Sequence, residues 1–162
     1  MSWHASRFIT REAADMLLSL PDVRQTAGHD CGEAAVKCVL EYHGIKAAVR
    51  LATPSHGTDP TQIEAALRNI GCGVTAGEMT VEDLKHFADC GRPVIALVHW
   101  PEGQDSHYVI CRGVSRGTVY FHDPIDGPSK CGVKDFEAAW KAVAYGLRKF
   151  NSIFLTYGNN AS

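Results

Sequence analysis

Apolar residues recur at helical spacing in the first half of this chain and in unbroken or alternating runs in the second half. Thr10 to Leu20 has helical composition and stops at Pro21, which predicts an N-terminal helix. Ala35, Cys38, Val39 and Tyr42 share one face of a helix predicted over Cys31 to Tyr42, and Gly44 stops it. Asp59-Pro60 reads as an N-cap with proline at the first helical position, followed by an apolar stripe of Ile63, Ala66, Leu67 and Ile70. Thr80 to Asp83 opens a shorter helix with a capping-box-like pattern, ended by Gly91. Pro93 to His99 is continuously apolar, as a buried strand would be. Two β-rich segments then follow, His107 to Val114 and Thr118 to Pro124. The turn Ser115-Arg116-Gly117 joins them, which signals a hairpin. A helix near Lys134 to Tyr145 and a last strand from Ser152 to Tyr157 complete the pattern. Helices first and antiparallel strands later is an α+β arrangement.

The candidate chemistry centres on Cys31, placed at the first turn of its helix. There the unpaired N–H groups and the macrodipole favour a thiolate. Gln25, six residues upstream, could bring a side-chain amide beside the same sulfur, so that it and the Cys31 N–H form two donors for an oxyanion. A nucleophilic cysteine needs a base and a group to orient that base. His107 begins one hairpin strand and Asp123 ends its neighbour, so both fall at the same edge of the sheet. The order Cys31, His107, Asp123 thus reads as a Cys/His/Asp triad.

The Gln25-to-Cys31-Gly32 opening, the Tyr42-His43-Gly44 helix end, the His107-Tyr108 strand start and the Asp123-Pro124 strand end resemble cysteine peptidase family 39. These are papain-like peptidases that cleave bacteriocin leader peptides. The similarity runs from about Val23 to Tyr157 and rests on separated motifs in the right order. It implies a papain-like fold, a helical lobe packed on an antiparallel sheet, as a peptidase domain over 22–162; residues 1–21 ahead of it read from their composition as an N-terminal helical extension. It also implies Cys31 as nucleophile, His107 as base, Asp123 as orienting group and Gln25 in the oxyanion hole. The expected activity is endopeptidase cleavage, after a small pair such as Gly-Gly, through a thioester. The chain departs from the family in three ways, the first being about twenty extra residues before the Gln25 motif. Glu33 follows Cys31-Gly32 where a small residue or proline is common, and the chain ends at Ser162 without a fused transporter or ATPase. A separate transporter partner is therefore expected. The same triad would serve a deamidase, transglutaminase or amidase, which ammonia release would distinguish. A non-catalytic peptide-binding module is the other alternative, and the retained Cys31 argues against it.

Composition narrows the rest. A chain of 162 residues, 45% hydrophobic and 21% charged, fits one globular domain. A net charge of −2 and the lack of a basic stripe argue against a nucleic-acid partner. The densest basic stretch, Lys141 to Lys149, is interrupted by apolar residues, as on the outer face of a helix. No apolar run spans a bilayer and the N-terminus lacks an apolar signal core, so a cytoplasmic location is expected. The six cysteines, at 31, 38, 72, 90, 111 and 131, lack paired spacing and read as free thiols in a reducing compartment. Cys38 and Cys111 look like small core residues. No cofactor or metal is expected, since the only close grouping is His29-Asp30-Cys31. Three histidines compete with His107. His29 reads as a cleft-wall residue and His99 as a core histidine, while His122 should face away from Asp123 because strand neighbours alternate.

Overall fold

The computed structural model describes residues 17–26, 30–51, 58–103, 106–141 and 152–156. In chain order the elements are α1 (Cys31–Tyr42), α2 (Pro60–Asn69), β1 (Gly73–Gly77), α3 (Val81–Asp89), β2 (Val94–Val98), β3 (His107–Ser115), β4 (Thr118–Asp123), β5 (Gly127–Gly132), α4 (Val133–Lys141) and β6 (Ser152–Thr156). Local chemistry accounts for the helix starts. The Asp59 side chain accepts from Thr61 N–H while Gln62 reaches back to Asp59 N–H, and Thr80 and Asp83 close a second capping box. At the far end of α1, Gly44 has φ +72°, the left-handed conformation that ends a helix at little cost for glycine.

The strands form one antiparallel sheet in the order β1-β6-β2-β3-β4-β5. β2 lies inside it with every residue buried, which explains its unbroken apolar run. Ile95, Leu97, Tyr108 and Ile110 face α1 and α2, packing on Ala35, Val36, Val39, Ile63 and Leu67. Val94, Ala96, Val98, Val109, Cys111, Val119 and Phe121 face α3 and α4, against Leu84, Phe136, Ala139 and Trp140. The α+β arrangement stands, with helices on both faces of the sheet.

Two strands have no counterpart in the sequence pattern, β1 and β5. Both are edge strands, and their residues suit an edge rather than announce a strand. β1 is Gly-Val-Thr-Ala-Gly with one buried side chain, Val74, and β5 carries Pro128 and Lys130 on an alternating, mostly exposed run. The expected N-terminal helix falls largely on residues outside those described, and Leu17 to Leu20 at its end are not helical. Leu20 packs against the α1 core and Leu18 is hydrogen-bonded to Arg112, so the chain is tied to the sheet before residue 22. The last four residues of the expected Lys134–Tyr145 helix, the basic residues after Lys141, and Tyr157 lie outside the described residues.

Candidate active site

Cys31 is the first residue of α1, 8% exposed. Its helix lacks a side-chain cap, because the Asp30 carboxylate turns back to accept from Thr26 N–H at 3.2 Å and Thr26 Oγ1 at 2.9 Å. The positive end of the helix dipole is thus directed at the Cys31 position. Gly32 allows the close approach behind it. A Cβ there would lie 3.0 Å from Thr58 Cβ and 3.4 Å from Tyr108 Cδ2, and Tyr108 Oη in turn donates to the Thr58 carbonyl at 2.8 Å. The residue beside the candidate nucleophile therefore packs on the residue beside His107. Gly32→Ala should lower stability by about 1–2 kcal/mol, overpacking outweighing the gain in helix propensity. A urea-denaturation midpoint unchanged from the wild type would contradict that packing.

His107 opens β3 and Asp123 closes β4, and His107 Nε2 lies 2.8 Å from Asp123 Oδ1. An ionised carboxylate can only accept, so Nε2 carries the proton and Nδ1 is the nitrogen left for the Cys31 thiol. Burial alone would depress the His107 pKa, but hydrogen bonds to Asp123 and to Cys31, with their charges, raise it to about 9. Burial works against ionisation of Asp123 as well. The His107 contact and the N–H groups of Ile125, at 2.7 Å, and Asp126, at 3.4 Å, outweigh it and lower its pKa.

These shifts give a pH dependence with a definite sign. The raised His107 value contributes stability that is full below its ordinary 6.5 and is lost as pH rises through about 9. The lowered Asp123 value contributes stability present above its ordinary 3.8 and lost as pH falls through the depressed value. Denaturation midpoints across pH should therefore be flat between 3.8 and 6.5, fall steadily as pH rises from 6.5 to about 9, and level off beyond it. His107→Gln should remove that alkaline dependence.

Gln25 is brought to the same end of the sheet through its backbone, its N–H donating to the Pro124 carbonyl at 2.9 Å. Two further bonds hold this strap. His122, 2% exposed, donates from Nε2 to the Val23 carbonyl at 2.9 Å, and Arg24 Nη1 donates to the Ile125 carbonyl at 3.0 Å. A Cβ on Gly127 would run into the Arg24 guanidinium. His122 points away from the His107 face, as alternation requires. Its adjacency to Asp123 was the signal that it joins Gln25's segment to the strand. Glu33 also has structural work, accepting from Leu51 N–H at 2.9 Å and pairing with Lys37 at 3.3 Å. His99 is half-buried just past β2 and ties its N–H to the Ala139 carbonyl at 2.9 Å. His29 lies outside the described residues.

All six cysteines are free. Burial pushes the Cys38 and Cys111 thiols up to about 12 and raises Cys72 and Cys131 as well, whereas Cys90 is exposed. Among the described residues no three His, Cys, Asp or Glu side chains converge as metal ligands would. No helix among them is long and apolar enough to cross a membrane.

Residues 19–151 match the peptidase C39 family. The chain belongs to that family. This C39 chain is accordingly a cysteine peptidase. Solved structures share its fold. A double glycine motif protease from an AMS/PCAT transporter, in complex with the leader peptide, is 23% identical. That likeness covers 86% of this chain and 91% of the other, with a TM-score of 0.64. The peptidase domain of Streptococcus ComA, a bi-functional ABC transporter involved in a quorum sensing pathway, is 21% identical over 86% of this chain and 98% of its own, with a TM-score of 0.66. A C39-like peptidase from Bacillus anthracis is 15% identical over 89% and 98%, with a TM-score of 0.71. No curated protein sequence is similar enough to match.

Proposed function

We propose that Cys31, His107 and Asp123 are the catalytic triad of a leader peptidase that cuts after a pair of small residues such as Gly-Gly. The observation that carries this reading is the position of the His107 ring, held 2.8 Å from Asp123 through Nε2, with Cys31 at the start of α1 among the groups that raise its pKa. In this mechanism the Cys31 proton passes to His107 Nδ1 and the sulfur attacks the peptide carbonyl carbon. The oxyanion rests on the Cys31 N–H and the Gln25 amide. As the C–N bond breaks, His107 returns the proton to the leaving amine, and a thioester remains. Water, deprotonated by His107, hydrolyses the thioester and the thiol is restored. Asp123 fixes the tautomer of His107 and stabilises its cation, the role an orienting carboxylate has in such triads.

The substrate class is supported by family membership and by the leader peptide in one of the similar structures. A transporter that exports the trimmed peptide is the partner this reading calls for, as two of the similar structures come from transporters. Mass spectrometry of a mixed peptide library treated with wild type and with Cys31→Ala tests it. Cuts after Gly-Gly or Gly-Ala, absent in the variant, are expected. Cuts concentrated after bulky or charged residues would remove the leader specificity, and ammonia release without new termini would make the chain an amidase. Brief iodoacetamide treatment near pH 6 should label Cys31 ahead of Cys90, the exposed thiol. The reverse order would sink the nucleophile assignment.

A further inference from the structure

The hairpin that carries His107 and Asp123 changes register part-way along. Near the turn Ser115 pairs with Thr118, Val114 with Val119 and Gly113 with Tyr120, but beyond Arg112 the pairs are Cys111 with Phe121 and Ile110 with His122. Arg112 is the extra residue of a β-bulge, a device that re-aims side chains. Opposite residues in an antiparallel pair share a face, and neighbours along a strand alternate. If the turn's register ran on without the bulge, Asp123 would stand opposite Ile110 on the α1 face, and His107 would point to the other face. With the bulge, carrying the register one residue further sets Asp123 opposite Val109. His107, two residues along, then shares its face as a diagonal neighbour within reach of an aromatic ring. The 2.8 Å contact between them depends on that one-residue shift.

The apolar pattern does not enforce the shift. Tyr108 and Ile110 are buried on one face, Val109 and Cys111 on the other, so a slip exchanges apolar for apolar. The bulge is held from outside the hairpin instead. Leu18 N–H donates to the Arg112 carbonyl at 2.8 Å, and Arg112 Nε donates to the Leu18 carbonyl at 2.9 Å. We propose that Leu18 staples the Arg112 bulge and is thereby a positioning residue for the peptidase reaction, keeping His107 on the face of Asp123. The inference rests on the triad assignment of those two residues. Leu18 acts through Arg112.

Leu18→Pro keeps an apolar side chain but has no N–H to donate. Deleting Arg112 removes the extra residue, so the ladder runs regularly from the turn and still sets Asp123 opposite Val109. Leu18→Pro should lower both the iodoacetamide labelling rate of Cys31 at pH 6 and kcat for peptide cleavage by about tenfold, the scale of one or two lost hydrogen bonds, with KM little changed. Adding the Arg112 deletion should restore both. A merely structural role predicts the opposite, since a deletion inside a strand would add damage to damage. A folded Leu18→Pro variant that labels and cleaves at wild-type rates overturns the proposal. So does a double variant that fails to recover a reactive Cys31, whether or not the single variant folds. A double variant that folds and labels when the single variant does not fold supports it. The triad assignment fails by a different result, wild-type Cys31 labelling no faster than Cys90.

Discussion

Cys31→Ala is expected to reduce peptide cleavage at least about 10⁴-fold, to the limit of detection, with the fold intact. In the proposed mechanism alanine removes the atom that forms the thioester. His107→Ala should cost about as much on its own. With the base gone, nothing takes the proton of the attacking sulfur and the leaving amine has no proton donor. The double variant should then be no worse than either single one, because the two side chains act as one unit. Rates for all three, on a peptide cut by wild type, check this together with melting curves. Retention of cleavage in Cys31→Ala would move the nucleophile elsewhere. A double variant much slower than both singles would mean that the two residues contribute separately.

Phe136→Ala is the substitution expected to cost the fold most. Phe136 is fully buried in α4 at the centre of an aromatic cluster, with ring centroids 5.4 Å from Trp140, 5.9 Å from Phe121 and 6.2 Å from Trp100. Truncation leaves a cavity the size of a ring between a helix and a sheet that cannot collapse independently. The expected loss is about 3–5 kcal/mol, a large part of the ~5–15 kcal/mol that holds an ordinary domain together. In a chain of this length that corresponds to a fall in Tm of roughly 10 °C. A shift of a degree or two in calorimetry would mean that the cluster repacks around the vacancy.

Much of the site is legible in the chain because its parts are encoded locally. The start of α1 at Cys31, the capping boxes at Asp59 and Thr80, the buried run of β2 and the Arg116-Gly117 turn are decided by a few neighbouring residues, and the structure has them where the pattern puts them. The weak edge strands β1 and β5 were not legible. Glycine, proline and lysine make an edge safe but carry little strand propensity, so only pairing with β6 and β4 defines them. The roles of Tyr108 and His122 were hidden for a related reason, since each acts on a segment far away in sequence, at Thr58 and Val23.

By itself the sequence determined the class of fold, the residues that could do the chemistry and the strand ends on which two of them stand. It did not determine on which face of the sheet they stand. A two-residue turn followed by regular pairing would have set His107 and Asp123 back to back, and the apolar residues of β3 accept either register. The tertiary structure decided it through a bulge at Arg112 held by Leu18, 94 residues away. The physical reason is that a strand's period of two makes facing depend on a single residue of register. Here that residue is held by hydrogen bonds from a distant part of the chain, which no local pattern records.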